Sequence, residues 1–95
     1  MAKAYWVVRV SVRDEERYPE YLAAARPAFE KFGANFIVRG GAFETTEGTS
    51  RDRNVVVEFR DLATATACYR SQEYQTAKAI RQKYADADFI IIEGS

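Results

Sequence analysis

The chain has 95 residues, with 14 Lys+Arg against 14 Asp+Glu, no histidine and one cysteine. That length suits one domain spanning residues 1–95. The counts exclude an internal disulfide, a closed Cys/His zinc site and any Ser-His or Cys-His nucleophile pair. Balanced charge argues against an electrostatic nucleic-acid footprint, so nucleic acid is not an expected partner.

Residues 4–12, Ala-Tyr-Trp-Val-Val-Arg-Val-Ser-Val, are β-branched and aromatic and read as a strand. Asp14 is then expected to cap a helix of about 18 residues, with Glu15 and Glu16 in its first turn. Tyr18, Tyr21, Leu22, Ala25, Ala28, Phe29 and Phe32 form its apolar stripe. Pro19 suits the helix start, Pro27 should kink the helix, and Gly33 supplies the stop.

A second strand is expected over residues 35–43, with Gly40-Gly41 marking a bulge or a close backbone approach. A polar stretch from Glu44 to Asp52 leads into a third strand over 53–60, so the two should form a hairpin. Asp61 reads as the next N-cap, and Ser71 as a break and a new N-cap before a helical segment carrying Tyr74, Ala77, Ile80, Arg81 and Tyr84. Residues 87–93 read as a last strand. The order β-α-β-β-α-β predicts an α+β, ferredoxin-like fold: a four-stranded antiparallel sheet with its helices on one face.

Two helices cover one face of such a sheet, and the other should alternate to polar. Here Tyr5 and Val7 oppose Trp6 and Val8, and Val55-Val56-Val57 and Phe89-Ile90-Ile91-Ile92 are apolar on both faces. An uncovered patch of that size predicts a homodimer through the sheet face.

Charges break the apolar pattern at Arg39 and Glu58, and at Arg9, which is expected to face solvent or lie at an edge. If the hairpin turns near Gly48-Thr49, Arg39 and Glu58 fall opposite each other. Two readings follow: a structural ion pair that fixes register, or a pocket in which Arg39 receives a carboxylate or other anion. Tyr74 and Arg81 are seven apart and share a helix face. With Tyr18, Tyr69 and Ser71 they complete the candidate ligand-binding set, alongside a bland reading of core rings and, for Ser71, a cap. No metal site and no cofactor are expected.

RNA-recognition domains share the topology, but their third strand carries stacking rings, and here it reads Arg53-Asn54-Val55-Val56-Val57-Glu58-Phe59. Metallochaperones of this fold need paired cysteines after strand one, where this chain has Ser11-Val12-Arg13-Asp14-Glu15. Tyr5-Trp6, Arg39-Gly40-Gly41, Glu58-Phe59, Tyr69-Arg70-Ser71-Gln72-Glu73-Tyr74 and Ala77-Lys78-Ala79-Ile80-Arg81 together resemble a small bacterial family, domain-of-unknown-function family 1330, in the dimeric α/β-barrel superfamily. The resemblance covers nearly the whole chain. It implies a ferredoxin-like protomer and a dimer whose sheets pair into a barrel-like core. It brings no established activity. Across the superfamily it points to cofactor-independent monooxygenases, muconolactone-type isomerases, haem-handling proteins and stress-response barrels. The lack of histidine bars the His-dependent mechanisms.

The functional expectation is a dimer that binds, and in one reading converts, a small anionic or aromatic molecule between sheet and helices. The alternative is a regulatory or interaction dimer without a ligand. No apolar run approaches the roughly 20 residues of a membrane helix, and Arg9 interrupts any signal-peptide core. A cytoplasmic location is therefore expected, with Cys68 a packing residue in a helix.

Overall fold

The computed structural model describes residues 2–95. Its elements run β1 (Ala4–Val12), α1 (Pro19–Phe32), β2 (Asn35–Arg39), β3 (Arg53–Phe59), α2 (Leu62–Arg70), α3 (Gln72–Tyr84) and β4 (Ala85–Glu93). The strands form one antiparallel sheet in the order β2-β3-β1-β4. This is the ferredoxin-like α+β arrangement, with the second helical region divided in two.

Local chemistry explains most boundaries. The Asp61 carboxylate accepts the Thr64 backbone N–H at 2.8 Å and starts α2. Ser71 ends α2 in an extended conformation, and its Oγ accepts the Tyr74 N–H at 3.2 Å to start α3. Gly33 closes α1 at φ 66°, where its N–H reaches the Phe29 carbonyl. Asp14 does not cap α1 as expected. Its Oδ1 accepts the Arg17 N–H in a separate turn, and the helix begins only at Pro19, whose fixed φ suits a first helical position.

The β2 expectation needs a larger correction. The strand ends at Arg39, and its irregularity falls between Phe36 and Val38, not at the glycine pair. Phe36 pairs with Val57, Val38 with Val56 and Arg39 with Val55. The extra residue turns Val38 to one face and Arg39 back to the other.

The two faces follow from register. One carries Trp6, Val8, Val10, Val55, Val57 and Phe59, all buried beneath the helices. Trp6 is 1% exposed and lies within 6.2 Å of the Phe29, Phe59, Tyr69, Tyr74 and Phe89 ring centres. Its indole N–H donates to the Ala65 carbonyl at 3.0 Å and ties α2 to the sheet. The opposite face bears no helix. There Val38, Val56, Val7 and Ile90 form one apolar row across all four strands, with Ile92 beside it. Ile90 is 55% and Ile92 49% exposed. One end of that face is polar: Arg9 donates to Asn54 Oδ1 and to the Thr49 carbonyl, and Arg51 pairs with Asp88 at 2.9 Å. Arg9 is therefore a half-buried strut for the β2–β3 connection, not a free surface charge.

Candidate functional site

Beneath the helices, where β2, β3 and β1 meet α1 and α3, the core contains a small interior cavity of about 30 Å³. That is room for roughly two waters. Its floor is Trp6, Val8, Val10, Val55 and Val57, and Tyr18, Tyr21, Phe29 and Phe36 form its sides. Three arginines also line it: Arg39, Arg53 and Arg81.

Sheet register delivers two of them. Arg39 ends the row Arg39–Val55–Val8–Phe89, and Arg53 ends the next row, Arg53–Val10–Ala87. Both rows belong to the helix-covered face. Arg39 stacks on the Phe36 ring with its guanidinium carbon 4.3 Å from the ring centre. Arg53 passes over Gly40, a left-handed residue at φ 69°. A Cβ there would stand 2.8 Å from Arg53 Nη1, so this glycine supplies both the turn and the space for the guanidinium.

Arg81 reaches the cavity from α3 and is only 5% exposed. Its Nη1 donates to the Tyr74 hydroxyl at 2.7 Å, and that hydroxyl is 2.8 Å from the Tyr21 hydroxyl on α1. The guanidinium also lies over the Tyr21 and Phe89 rings, at 5.6 and 5.7 Å. Burial pushes the Tyr74 phenol far up, so it stays protonated and can donate onward to Tyr21. Burial, reinforced by Tyr21, also raises the Tyr18 phenol, against the opposing pull of Arg53 and Arg81. Neither ring is a ready base.

Among the described residues, none of the three arginines makes an ion pair. The Nε atoms of Arg53 and Arg81 are buried without a hydrogen-bond partner. A buried cation held only by a phenol and ring faces is short of a counter-charge. The site is thus apolar in its walls and electropositive in its polar groups, which suits an anion carried on an apolar body.

Tyr18, Arg39 and Arg81 are the expected residues that line this cavity. Tyr74 stands behind them, fully buried, and orients Arg81. Tyr69 packs between Trp6, Tyr74 and Phe89, with the Lys78 ammonium over its ring, and does not line the cavity. Ser71 is a helix cap whose Oγ also donates to the Cys68 carbonyl at 2.7 Å. Glu58 is misplaced by the sequence reading. It pairs with Asn35, not Arg39, and lies on the uncovered face with Lys3 at 3.3 Å and Tyr5 at 3.3 Å. The bulge in β2 and a connection from residue 40 to residue 52 break the assumed register. Sequence reasoning missed Arg53, although its parity with Val55, Val57 and Phe59 signals an arginine on the core face of a strand.

A wider cleft of about 640 Å³ opens between the end of α1 and the start of α2. Its Arg60 and Asp61 are 3.6 Å apart, and its Lys31 reaches Glu73 at 3.1 Å, so both of its cations already have partners. Two further clefts of about 300 and 310 Å³ flank the interior cavity. One shares Tyr18 and Arg53 with it, the other Leu22, Phe29, Phe36 and Arg39. Long arginine side chains therefore separate the interior space from solvent. Cys68, by contrast, is sealed in the core, and burial pushes its thiol up to about 12, which makes it unreactive.

A family model described as "Domain of unknown function (DUF1330)" matches residues 3–95. No curated protein matches the sequence. Among solved structures, the fold is similar to a protein of unknown function from Rhodopseudomonas palustris, with TM-score 0.79 and 19% identity over 99% of this chain and 83% of that one. It is also similar to a dimeric ferredoxin-like protein of unknown function from Jannaschia sp. CCS1, with TM-score 0.72 and 16% identity over 97% and 99%. A third similar structure is SnoaB, a cofactor-independent oxygenase from Streptomyces nogalater, with TM-score 0.67 and 10% identity over 100% and 95%.

Proposed function

The chain belongs to the DUF1330 family, whose description assigns no reaction, and we propose that it binds a small organic anion in the cavity between sheet and helices. The observation that carries this reading is Arg81: a guanidinium 5% exposed, with no carboxylate partner among the described residues and an empty Nε. The negative group of the ligand completes that site, and its apolar body lies against Trp6, Val8 and Val55. Such a ligand is larger than the closed cavity of about 30 Å³, so Arg39, exposed and held only by its stack on Phe36, swings aside and joins that space to the neighbouring cleft of about 310 Å³ to admit it. The lining contains no carboxylate and no thiol, so the reading is of binding and not of proton-transfer chemistry.

Thermal denaturation in excess benzoate tests it. The ligand should raise Tm in the native protein, and Arg81→Met should abolish the rise. Replacing a buried charge by an apolar side chain of similar length tends to leave the fold intact. An equal rise in both proteins, or none in either, sinks the proposal.

The same reading includes assembly. We propose that the row Val38–Val56–Val7–Ile90, with Ile92, is buried against a second copy of the chain. Two observations support this: the exposure of those isoleucines, and a thin dimension of only 16 Å, the depth of one sheet and one helix layer. A reducing cytoplasm, where the lone thiol of Cys68 needs no partner, belongs to the same picture.

A further inference from the structure

We infer that the ligand carries two negative groups separated by an apolar spacer, because Arg53 and Arg81 both line one cavity and each has a buried Nε without a hydrogen-bond partner. This rests on the binding proposed above and narrows its chemistry. Arg53 enters from the first residue of β3 and Arg81 from the last turn of α3, so the two guanidinium groups belong to separate elements. Between them the floor is Val8, Val10 and Val55, which offer nothing polar. A single carboxylate satisfies one guanidinium fork and leaves the other without a counter-charge. Glu15 and Asp52 line the cleft on the outer side of Arg53, yet neither pairs with it. The count is three lining arginines against no lining carboxylate. A dianion removes most of that imbalance, and the charge left over is that of Arg39, which is exposed at the mouth. The planar aromatic sides, Tyr18, Tyr21 and Phe36, favour a flat spacer.

Isothermal titration with benzoate, isophthalate and terephthalate, all at one fixed ionic strength, tests the inference on the full chain. One of the two dicarboxylates should bind about tenfold tighter than benzoate, the worth of one added charge-assisted contact. Arg53→Met keeps the aliphatic stem and should bring that dicarboxylate down to the benzoate level, with benzoate itself little changed. Arg53→Lys, which keeps the charge, should restore part of the gap. Benzoate binding as tightly as both dicarboxylates overturns the inference and leaves anion binding standing. So does a fall in all three affinities by the same factor in Arg53→Met. Absence of binding by all three probes overturns both the inference and the reading it rests on.

Discussion

Tyr74→Phe removes one oxygen from the middle of the Arg81–Tyr74–Tyr21 chain and nothing else. The ring is fully buried against Trp6 at 4.8 Å and Tyr69 at 5.5 Å, and phenylalanine preserves both contacts. The apolar transfer contribution is therefore near zero. Two hydrogen bonds disappear, at 2.7 and 2.8 Å. The first is charge-assisted and worth about 1.5–3 kcal/mol, and the second is neutral and worth about 1 kcal/mol. Arg81 already lacks a partner at Nε, so its Nη1 gains nothing in exchange. We expect a loss of roughly 2–4 kcal/mol, or a fall in Tm of about 10–25 °C for a domain of this size. Urea denaturation at fixed protein concentration measures it. Tyr21→Phe should cost about 1 kcal/mol, and the double variant no more than about the cost of Tyr74→Phe, since the Tyr21 bond is already lost there. A loss below about 0.5 kcal/mol, or strictly additive effects, would refute the chain as a structural unit.

Ile90→Glu places a charge in the middle of the uncovered apolar row and should convert a dimer to a monomer in light scattering, while Ile90→Val should not. A native protein already monomeric at high concentration removes the basis for the expectation. Gly40→Ala sets a Cβ against Arg53 Nη1 at a positive φ and should cost about 1–2 kcal/mol while weakening anion binding; Gly41→Ala, with nothing within 4 Å, should do neither. An equal response from both glycines counts against the cradle. Acid should also destabilise the fold through several depressed carboxyls. Asp61 is held down by Thr64, Glu73 by the α3 backbone and Lys31, and Asp88 by Arg51; for Glu58, burial pulls upward but is outweighed by Lys3, Asn35 and Tyr5. Their folded values lie below the unfolded ones, so this stability is fully present above about pH 4.5 and is lost as pH falls through the folded values. A Tm that stays constant down through that range contradicts the assignment.

The fold was legible because its punctuation is chemical and local. Asp61, Ser71 and Gly33 act through their own side chains or their own φ, and each does what its type suggests. Alternation in β1, β3 and β4 exposed the two-faced sheet. The site was less legible because it depends on register, which is set between strands. The glycine pair suggested a bulge or a close approach; Gly40 takes the second role, beneath Arg53, and the bulge lies at Ile37 and Val38, whose side chains announce nothing. That displacement separated Arg39 from Glu58. Arg81 was found by helix spacing from Tyr74, a signal that survives any error in strand register.

The β2 bulge, and not the residue types around it, decides which side of the sheet receives the Arg39 charge. Removing the extra residue, Ile37, would make the ladder regular and leave Phe36 opposite Val57, Val38 opposite Val56 and Arg39 opposite Val55, so the cation would stay at the cavity. Straightening the strand with all its residues kept would instead bring Val38 opposite Val55 and Arg39 opposite Asn54, and would turn the cation to the side of Val56, Val7 and Ile90. The same bulge that arms the pocket therefore keeps a charge off the self-association surface.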